Sequence, residues 1–349
     1  MAAPRHEDVE VFLDEQPGET RGLIARNGQY QTLLIQRDND VAAHRLGARS
    51  IGRVVDVDPG LSAAFVDLGG EPPMGFLPLK KTDAVRQGMA VEVAVIAEPR
   101  ERKGPVLRLI GAGEGAPRLL TPATTIRDDL ARLAPGAEIL TGVPAIRAVW
   151  EAEEVALADG GFYADIGLDL AVQRTRALIA VDIDYAGLPG HDGRKGRAIA
   201  NRAGLAQAAR LIGLKRWGGL VAIDLVGTGH DAAVVASEAK AAFGSDPEIA
   251  YGPLNRFGVL QLALPWRRTP IEDVLNGWDG GPTALTRALA GVRRLRHAML
   301  SDTRTPRFTM RCATDEAVLA APLVSQLGPR AGLIGDPDVL PGDPQINEG

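Results

Sequence analysis

A chain of 349 residues is too long for one small core and long enough for two or three domains. Its composition, 45% hydrophobic and 24% charged, is that of an ordinary globular protein, and a net charge of −5 argues against wholesale coating of nucleic acid. The single cysteine, Cys312, excludes an intrachain disulfide and a Cys-pair zinc site within one chain. No apolar run approaches the roughly 20 residues of a membrane span, and MAAPRHEDVEVFLDE lacks the layout of a signal peptide. A cytoplasmic protein is expected, without a membrane partner.

Residues 8–48 alternate polar and apolar in bursts such as VEVFLD, RGLIAR and YQTLLIQ, which predicts short strands joined by turns. The alternation sharpens over 49–110. In SIGRVVDVDPGLSAAFVDLGG an Asp-Pro-Gly turn separates two period-2 runs, and further runs follow in GFLPL and in GMAVEVAVIAEPRERKGPVLRLIG. About five strands in about sixty residues suit a small OB-type barrel. The Gly/Pro-rich stretch GAGEGAPRLLTPA does not keep GxGxxG spacing and reads as a linker.

TTIRDDLARLA predicts a short helix with a Thr cap. AIRAVW, EEVALADGGFYADIG and LDLAVQRTRALIAVDID read as strands, with a hairpin turn at DGG, 159–161. YAGLPGHDGRKGR, 185–197, reads as a loop rich in glycine and base. AIANRAGLAQAARLIGL is a helix in which Leu205, Ala208, Ala209 and Ile212 share a face and Gly213 is the stop. GGLVAIDLVG is a buried strand, DAAVVASEAKAAF a helix, NRFGVLQLAL a strand and ALTRALAGVRRLRHAMLS an amphipathic helix. A small helix-and-strand unit follows, and the Pro/Gly-rich end DPDVLPGDPQINEG is expected to be poorly ordered.

Two apolar strands end on acids. In ALIAVDID, Asp182 and Asp184 share one strand face while Ile179, Val181 and Ile183 take the other; in GGLVAIDL, Asp224 shares a face with Leu220 and Ala222. If these strands are neighbours, three carboxylates converge. Such a cluster is tolerable around a divalent cation or with one group protonated, and magnesium, which takes oxygen ligands, is the natural cation. The plainer alternative is that each aspartate caps a turn.

The chain resembles the ribonuclease E/G family. The matching residues occur in the family's order: GRVVDVDPGLSAAFVDLGGEPPMGFLPLKK at 52–81, RERKG at 100–104, LADGGFYADIG at 157–167, ALIAVDID at 177–184, NRAGLAQAARLIGLKRWGGLVAIDL at 201–225 and NRFGVLQL at 255–262. The resemblance implies a magnesium-dependent endoribonuclease acting on single-stranded RNA. It implies a mixed α/β fold: an OB-type β-barrel at 49–110 inserted in an RNase H-like and DNase I-like catalytic unit. The RNase H-like strands would occupy 1–48, a shortened RNase H-like or linker region 111–157, the DNase I-like catalytic domain 158–275 and a small C-terminal α/β segment 276–349.

The family's two metal-binding aspartates fall on Asp182 and Asp224, and its supporting asparagine falls on Asp184, making these the candidate catalytic groups. Its barrel aromatics fall on Phe65 and Phe76 and its barrel lysine on Lys103, where stacking on unpaired bases and contact with phosphate would be expected. Without the resemblance, Phe65 and Phe76 would read as barrel core. Arg194, Lys195, Arg197 and Arg202 follow the first acid strand and are the candidate phosphate contacts near the metal. The sequence departs from the family in three further ways. The zinc-sharing cysteines are absent, so a homodimer would lack a zinc link. No Arg-Thr pair can be assigned to sensing a 5′-monophosphate. Gly227 stands where the second catalytic strand has another acid. An RNA-binding protein of the same fold without turnover is the rival expectation.

Overall fold

In a computed structural model, residues 8–70, 72–101, 103–187 and 193–349 are described. The first seven residues, Arg102 of the basic run RERKG and 188–192 of the glycine-rich loop lie outside them. The fold is mixed α/β, with four β-sheets and seven α-helices among the described residues. Among the described residues no helix is long and apolar enough to cross a membrane. Two units divide the chain: 1–153 with 268–349, and 154–267.

The first unit begins with an antiparallel meander of β1 (Val9–Gln16), β2 (Glu19–Arg26) and β3 (Gln29–Arg37). Asn27 and Gly28 close the second hairpin with φ of 50° and 72°. Two successive positive φ values are what a tight hairpin matching the strand twist requires, and Asn-Gly accepts them at least cost. A 3-10 turn at Ala42–His44 then leads to β4 (Arg49–Asp58), β5 (Ala63–Asp67), β6 (Gly75–Pro78), β7 (Ala90–Ala97) and β8 (Val106–Ala112). These five strands close a ring in the order β4-β5-β6-β8-β7, with β7 returning to β4 and β6–β8 the one parallel pair. Ala64, Val66, Leu77, Val91, Val93, Val95 and Leu107 fill its core.

The stretch expected to be a linker carries a strand, β9 (Arg118–Thr121), which pairs with β4. α1 (Ile126–Leu133) starts where TTIRDD predicts. Thr125 accepts from the Asp128 backbone N–H while Asp128 accepts from the Thr125 N–H, a reciprocal capping box. β10 (Ile139–Leu140) joins β1 in parallel. Next comes the main correction to the predicted elements: AIRAVW and the following EEVAL are not strands but the helix α2 (Val143–Leu157). Ala145, Ile146, Val149, Ala152 and Ala156 are buried, a helical spacing that outweighs the β-branched and aromatic residues among them.

The second unit holds one sheet. Its strands are β11 (Gly160–Tyr163), β12 (Leu168–Arg174), β13 (Ile179–Tyr185), β14 (Gly219–Asp224), β15 (Ala250–Tyr251) and β16 (Val259–Leu264), ordered β11-β12-β13-β14-β16-β15. The DGG at 159–161 is not a hairpin turn, because Gly160 and Gly161 already pair with β12 and the chain turns at 164–167. β13 and β14 run parallel, joined by the crossover helix α3 (Gly193–Lys215); α4 (Ala232–Phe243) follows β14 with Asp231 as its N-cap. α3 begins earlier and runs past the expected stop at Gly213, so most of the basic loop expected at 185–197 that can be described is helical from Gly193. Leu170, Val181, Ile183, Val221, Ile223 and Leu262 pack against Leu205, Ala208, Ile212, Val235 and Ala239. Burial of each such Leu or Ile contributes about 1.5–3 kcal/mol. Gly204 permits close approach of α3 to β13, since a Cβ there would lie 2.7 Å from Ile183.

The chain then returns to the first unit through α5 (Ile271–Leu275) and α6 (Ala284–Ser301). β17 (Phe308–Cys312), not expected from the sequence, precedes the expected helix and strand, α7 (Thr314–Ser325) and β18 (Ala331–Gly335), and the end expected to be poorly ordered instead supplies β19 (Gln345–Glu348), antiparallel to β17. An ionic cluster fastens α6 to the meander. Arg293 donates to Asp14 at 2.6 Å and to Glu19 at 2.8 Å; Arg37 and Arg21 also bond Glu19, and Arg296 bonds Asp14. Asp14 and Glu19 are fully buried. Burial pushes the Glu19 carboxyl up, but Arg21, Arg293 and Arg37 outweigh it and hold the group far below its ordinary range.

Candidate functional site

The strand β13 alternates as its sequence predicts. Ile179, Val181 and Ile183 are buried in the core, and Asp182 and Asp184 are exposed on the opposite face. The parallel pairing sets Asp182 directly beside Asp224, and the antiparallel pairing sets Asp184 beside Asp169 of β12. Neighbouring strands lie about 4.8 Å apart, so four carboxylates occupy one sheet face across three strands. None of the four has an ion pair or a side-chain hydrogen bond among the described residues. Partial burial, then the charges of Asp184, Asp224 and Asp169, raise the Asp182 pKa above its ordinary value. Among the described residues no three His, Cys, Asp or Glu side chains are gathered closely enough to hold a metal ion together. Asp182 and Asp224, paired in register, are the two carboxylates that could hold a cation between them with water completing its shell.

Asp169 is the acid that the sequence reading missed. Its signal was present: LDLAVQ alternates, with Leu168 and Leu170 buried and Asp169 exposed. What the alternation cannot reveal is the register that brings Asp169 to Asp184. Phe162 of β11 is the register partner of Asp169 and is 60% exposed, so an aromatic ring borders the acid face.

Beyond the C-terminal end of β14 the chain is held by α3. The buried Asn201 side chain accepts from the Val226 N–H at 2.9 Å and donates to the Val226 carbonyl at 3.1 Å, fixing the turn two residues past Asp224. At Gly227, φ is 98° and the Arg197 side chain lies 3.3 Å from where a Cβ would stand. An acidic residue there would be strained in its backbone and crowded by Arg197. His230 bonds the Gly227 carbonyl at 3.1 Å. The turn at Asn255 immediately precedes Val259, the register partner of Asp224; it carries Phe257, 73% exposed, with the Arg256 guanidinium 4.7 Å from the ring centre. Arg194, Lys195, Arg197 and Arg202 are all exposed on α3. By helical spacing Arg194 and Arg197 share the Asn201 face, and Lys195 and Arg202 point elsewhere.

Phe65, Phe76 and Lys103 belong to the five-strand ring in the other unit. Phe65 and Phe76 are direct register partners on β5 and β6, half-buried, with ring centres 5.9 Å apart in an edge-to-face arrangement. Their neighbours Ala64, Val66 and Leu77 enter the core. The two rings therefore stand on the outer face of the ring of strands and are not its core. Lys103 is exposed. Its loop is held close to β6: the Phe76 N–H donates to Pro105 at 2.8 Å, and a Cβ on Gly104 would lie 1.8 Å from the Met74 carbonyl oxygen.

Compared with known proteins, the chain matches no protein-family model and no curated protein.

Proposed function

We propose that the chain is a magnesium-dependent endoribonuclease that cleaves single-stranded RNA, related to the ribonuclease E/G type. The observation that carries this reading is the register pairing of Asp182 with Asp224, two solvent-facing carboxylates without cationic partners, beside a turn fixed by Asn201 and flanked by Arg197. Within the reading, residues 154–267 are the DNase I-like catalytic unit, and the meander with β10 and α1 is the RNase H-like part. The ring's strand order, one-two-three-five-four with strand three parallel to strand five, supports reading 49–110 as the OB-type part. Ligands of that fold contact strands two and three, where Phe65 and Phe76 stand.

Asp182 and Asp224 would hold the magnesium, and all-oxygen donors suit that cation. When bound, magnesium supplies positive charge to a backbone phosphate and acidity to a water. Asp184 accepts hydrogen bonds from water on the same face and keeps it ordered. Arg197 and Arg194 meet the phosphate from the α3 side; Lys195 and Arg202, exposed on other faces of α3, serve flanking phosphates. Phe65 and Phe76 stack unpaired bases and Lys103 meets phosphate. The cytoplasm is the compartment this function implies. A homodimer, if formed, is held without zinc: Cys312 is buried at the end of β17, with its thiol pushed up to about 11 by burial and by Glu316 and Asp315.

A second reading, RNA binding without turnover, is favoured by the chain's own departures at Asp184 and Gly227, the latter a position where the backbone itself disfavours an acid. One experiment separates them. A short labelled unpaired RNA, with 5′-hydroxyl and 5′-monophosphate ends side by side, is incubated with and without magnesium. Magnesium-dependent internal cleavage of both substrates supports the nuclease; binding without cleavage supports the second reading.

A further inference from the structure

Seven phenylalanines occur in the chain, and only Phe162 and Phe257 are exposed, at 60% and 73%. Both lie in the unit of residues 154–267, and both border the acids. On β11, Tyr163 packs against the core, so Phe162 stands on the opposite face, beside Asp169 and in the row that continues to Asp184. On the other side, the row of Asp182 and Asp224 continues to Val259 of β16. Phe257 stands two residues before Val259, on a turn held by its own hydrogen bonds. The Asn255 side chain accepts from the Phe257 N–H at 2.9 Å and from the Val259 N–H at 3.1 Å, and Gly258 closes the turn with φ of 85°. His230, which bonds the Gly227 carbonyl, lies 3.9 Å from where a Gly258 Cβ would stand, so the turn after Asp224 and the turn of Phe257 are neighbours. The next row on the acid face reads Gln173, Ala180, Ala222 and Gln261, with only alanines beside the two central acids, while α3 and α4 pack on the opposite face. Singly exposed apolar residues need no explanation; here both exposed rings of one residue type flank one row of acids.

We propose that Phe162 and Phe257 are stacking platforms for two unpaired bases on opposite sides of the cleaved phosphate, so that the RNA crosses this sheet at right angles to its strands. The inference rests on the nuclease reading and adds to it the path of the substrate over the acids. With strands about 4.8 Å apart, the point between Asp182 and Asp224 lies about 7 Å from the line of β16 and about 12 Å from that of β11. Phe257 therefore takes the base of the nucleotide adjoining the cleaved phosphate, and Phe162 takes a base farther out on the other side. The Arg256 guanidinium, 4.7 Å from the centre of the Phe257 ring, covers one face of that ring and leaves the other for the base. A ring held out into water gains apolar contact when a base covers it. Every base has a face to stack, so the two platforms accept any sequence. A duplex keeps its base faces against one another and offers none to the rings, so the platforms select unpaired strands.

The test removes bases one at a time from a short labelled RNA whose cleavage site has been mapped, leaving the ribose-phosphate backbone intact. With magnesium and the full chain, kcat and KM are measured for each RNA. For the wild type, kcat/KM should fall about tenfold at two positions, one on each side of the cut, the nearer one adjoining it. Phe257→Ala should show the same loss on the intact RNA and no further loss when the nearer base is missing. Phe162→Ala should behave in the same way toward the farther base. Both losses should lie mainly in KM, since stacking is made alike in the ground and transition states. Phe257→Trp and Phe162→Trp should keep the wild-type efficiency and the Leu variants should not, which separates a ring face from apolar bulk. Thermal melting verifies that each variant is folded. If the wild type cleaves and the Ala variants match it, or lose as much from base removal as the wild type does, the platforms are overturned and the nuclease reading stands. If the wild type cuts no RNA, the nuclease reading fails and the platforms around a cut fail with it.

Discussion

Two groups of acids in this chain share residue types and differ in surroundings. Asp14 and Glu19 are fully buried, and Arg21, Arg37, Arg293 and Arg296 satisfy them. Asp169, Asp182, Asp184 and Asp224 are exposed on one sheet face, and none has an ion pair among the described residues. The first group fastens α6 to the meander. In the second no ion pair forms, and partial burial together with repulsion raises the Asp182 pKa where arginines depress that of Glu19. Acids without partners at facing strand positions are a cost to folding that a bound cation would remove. Within the proposed reading, the paired acids serve the structure and the unpaired, converging acids serve the cation.

Substitutions at the two groups should break that contrast in opposite directions. The largest expected effect is on cleavage: Asp182→Asn and Asp224→Asn should each abolish it while RNA binding survives, because phosphate contacts dominate affinity. Full turnover by either variant, measured on labelled RNA, would remove the metal site. In the buried group, Glu19→Gln leaves three arginines short of their shared carboxylate and should cost about 3–5 kcal/mol. Denaturant unfolding reads this, and a loss under 1 kcal/mol would contradict the ionic fastening. Phe65→Ala or Phe76→Ala should weaken single-stranded RNA binding by ~1–3 kcal/mol and leave duplex binding nearly unchanged; an unfolded variant would show that the rings are structural.

The smallest effect sharpens the comparison through pH. The raised pKa of Asp182 means that the folded state takes up its proton more readily than the unfolded chain, so the ionised group opposes folding at neutral pH. That opposition disappears as pH falls through the raised pKa toward the ordinary value of 3.8. Asp182→Asn should accordingly melt higher than wild type at pH 7, and the gap should close in acid. Glu19 has the reverse sign: its contribution is complete above the ordinary value of 4.5 and is lost as pH falls through its depressed pKa. Melting curves of Asp182→Asn and Glu19→Gln across pH 3–7 check both; a neutral-pH Tm for Asp182→Asn below that of wild type would contradict the repulsion.

The acid face was legible in the sequence because strand alternation alone puts Asp182 and Asp184 opposite a buried Ile183. α6 and the cap of α1 were legible for the same local reason. Asp169 and Asn201 were not, since their roles depend on register with β13 and on the reach of α3 to Val226, both set by tertiary packing. α2 was misread because its Ile, Val and Trp favour strands locally, while its buried alanines speak only once a partner surface exists. β9 and β19 lie in Gly/Pro-rich sequence and are strands because β4 and β17 offer them an edge. Phe162 and Phe257 flank one row of acids from positions 95 residues apart (257 − 162), beyond any local pattern.

The central claim is that the unpaired acids hold the cation and the paired ones do not. Iron(II) substituted for magnesium, with ascorbate and peroxide, cuts a polypeptide near the bound metal. The account predicts backbone cuts near Asp182 and Asp224, suppressed by excess magnesium and lost in Asp182→Asn, with none near Asp14 or Glu19. Cuts that ignore Asp182→Asn, or that fall outside β13 and β14, would contradict it.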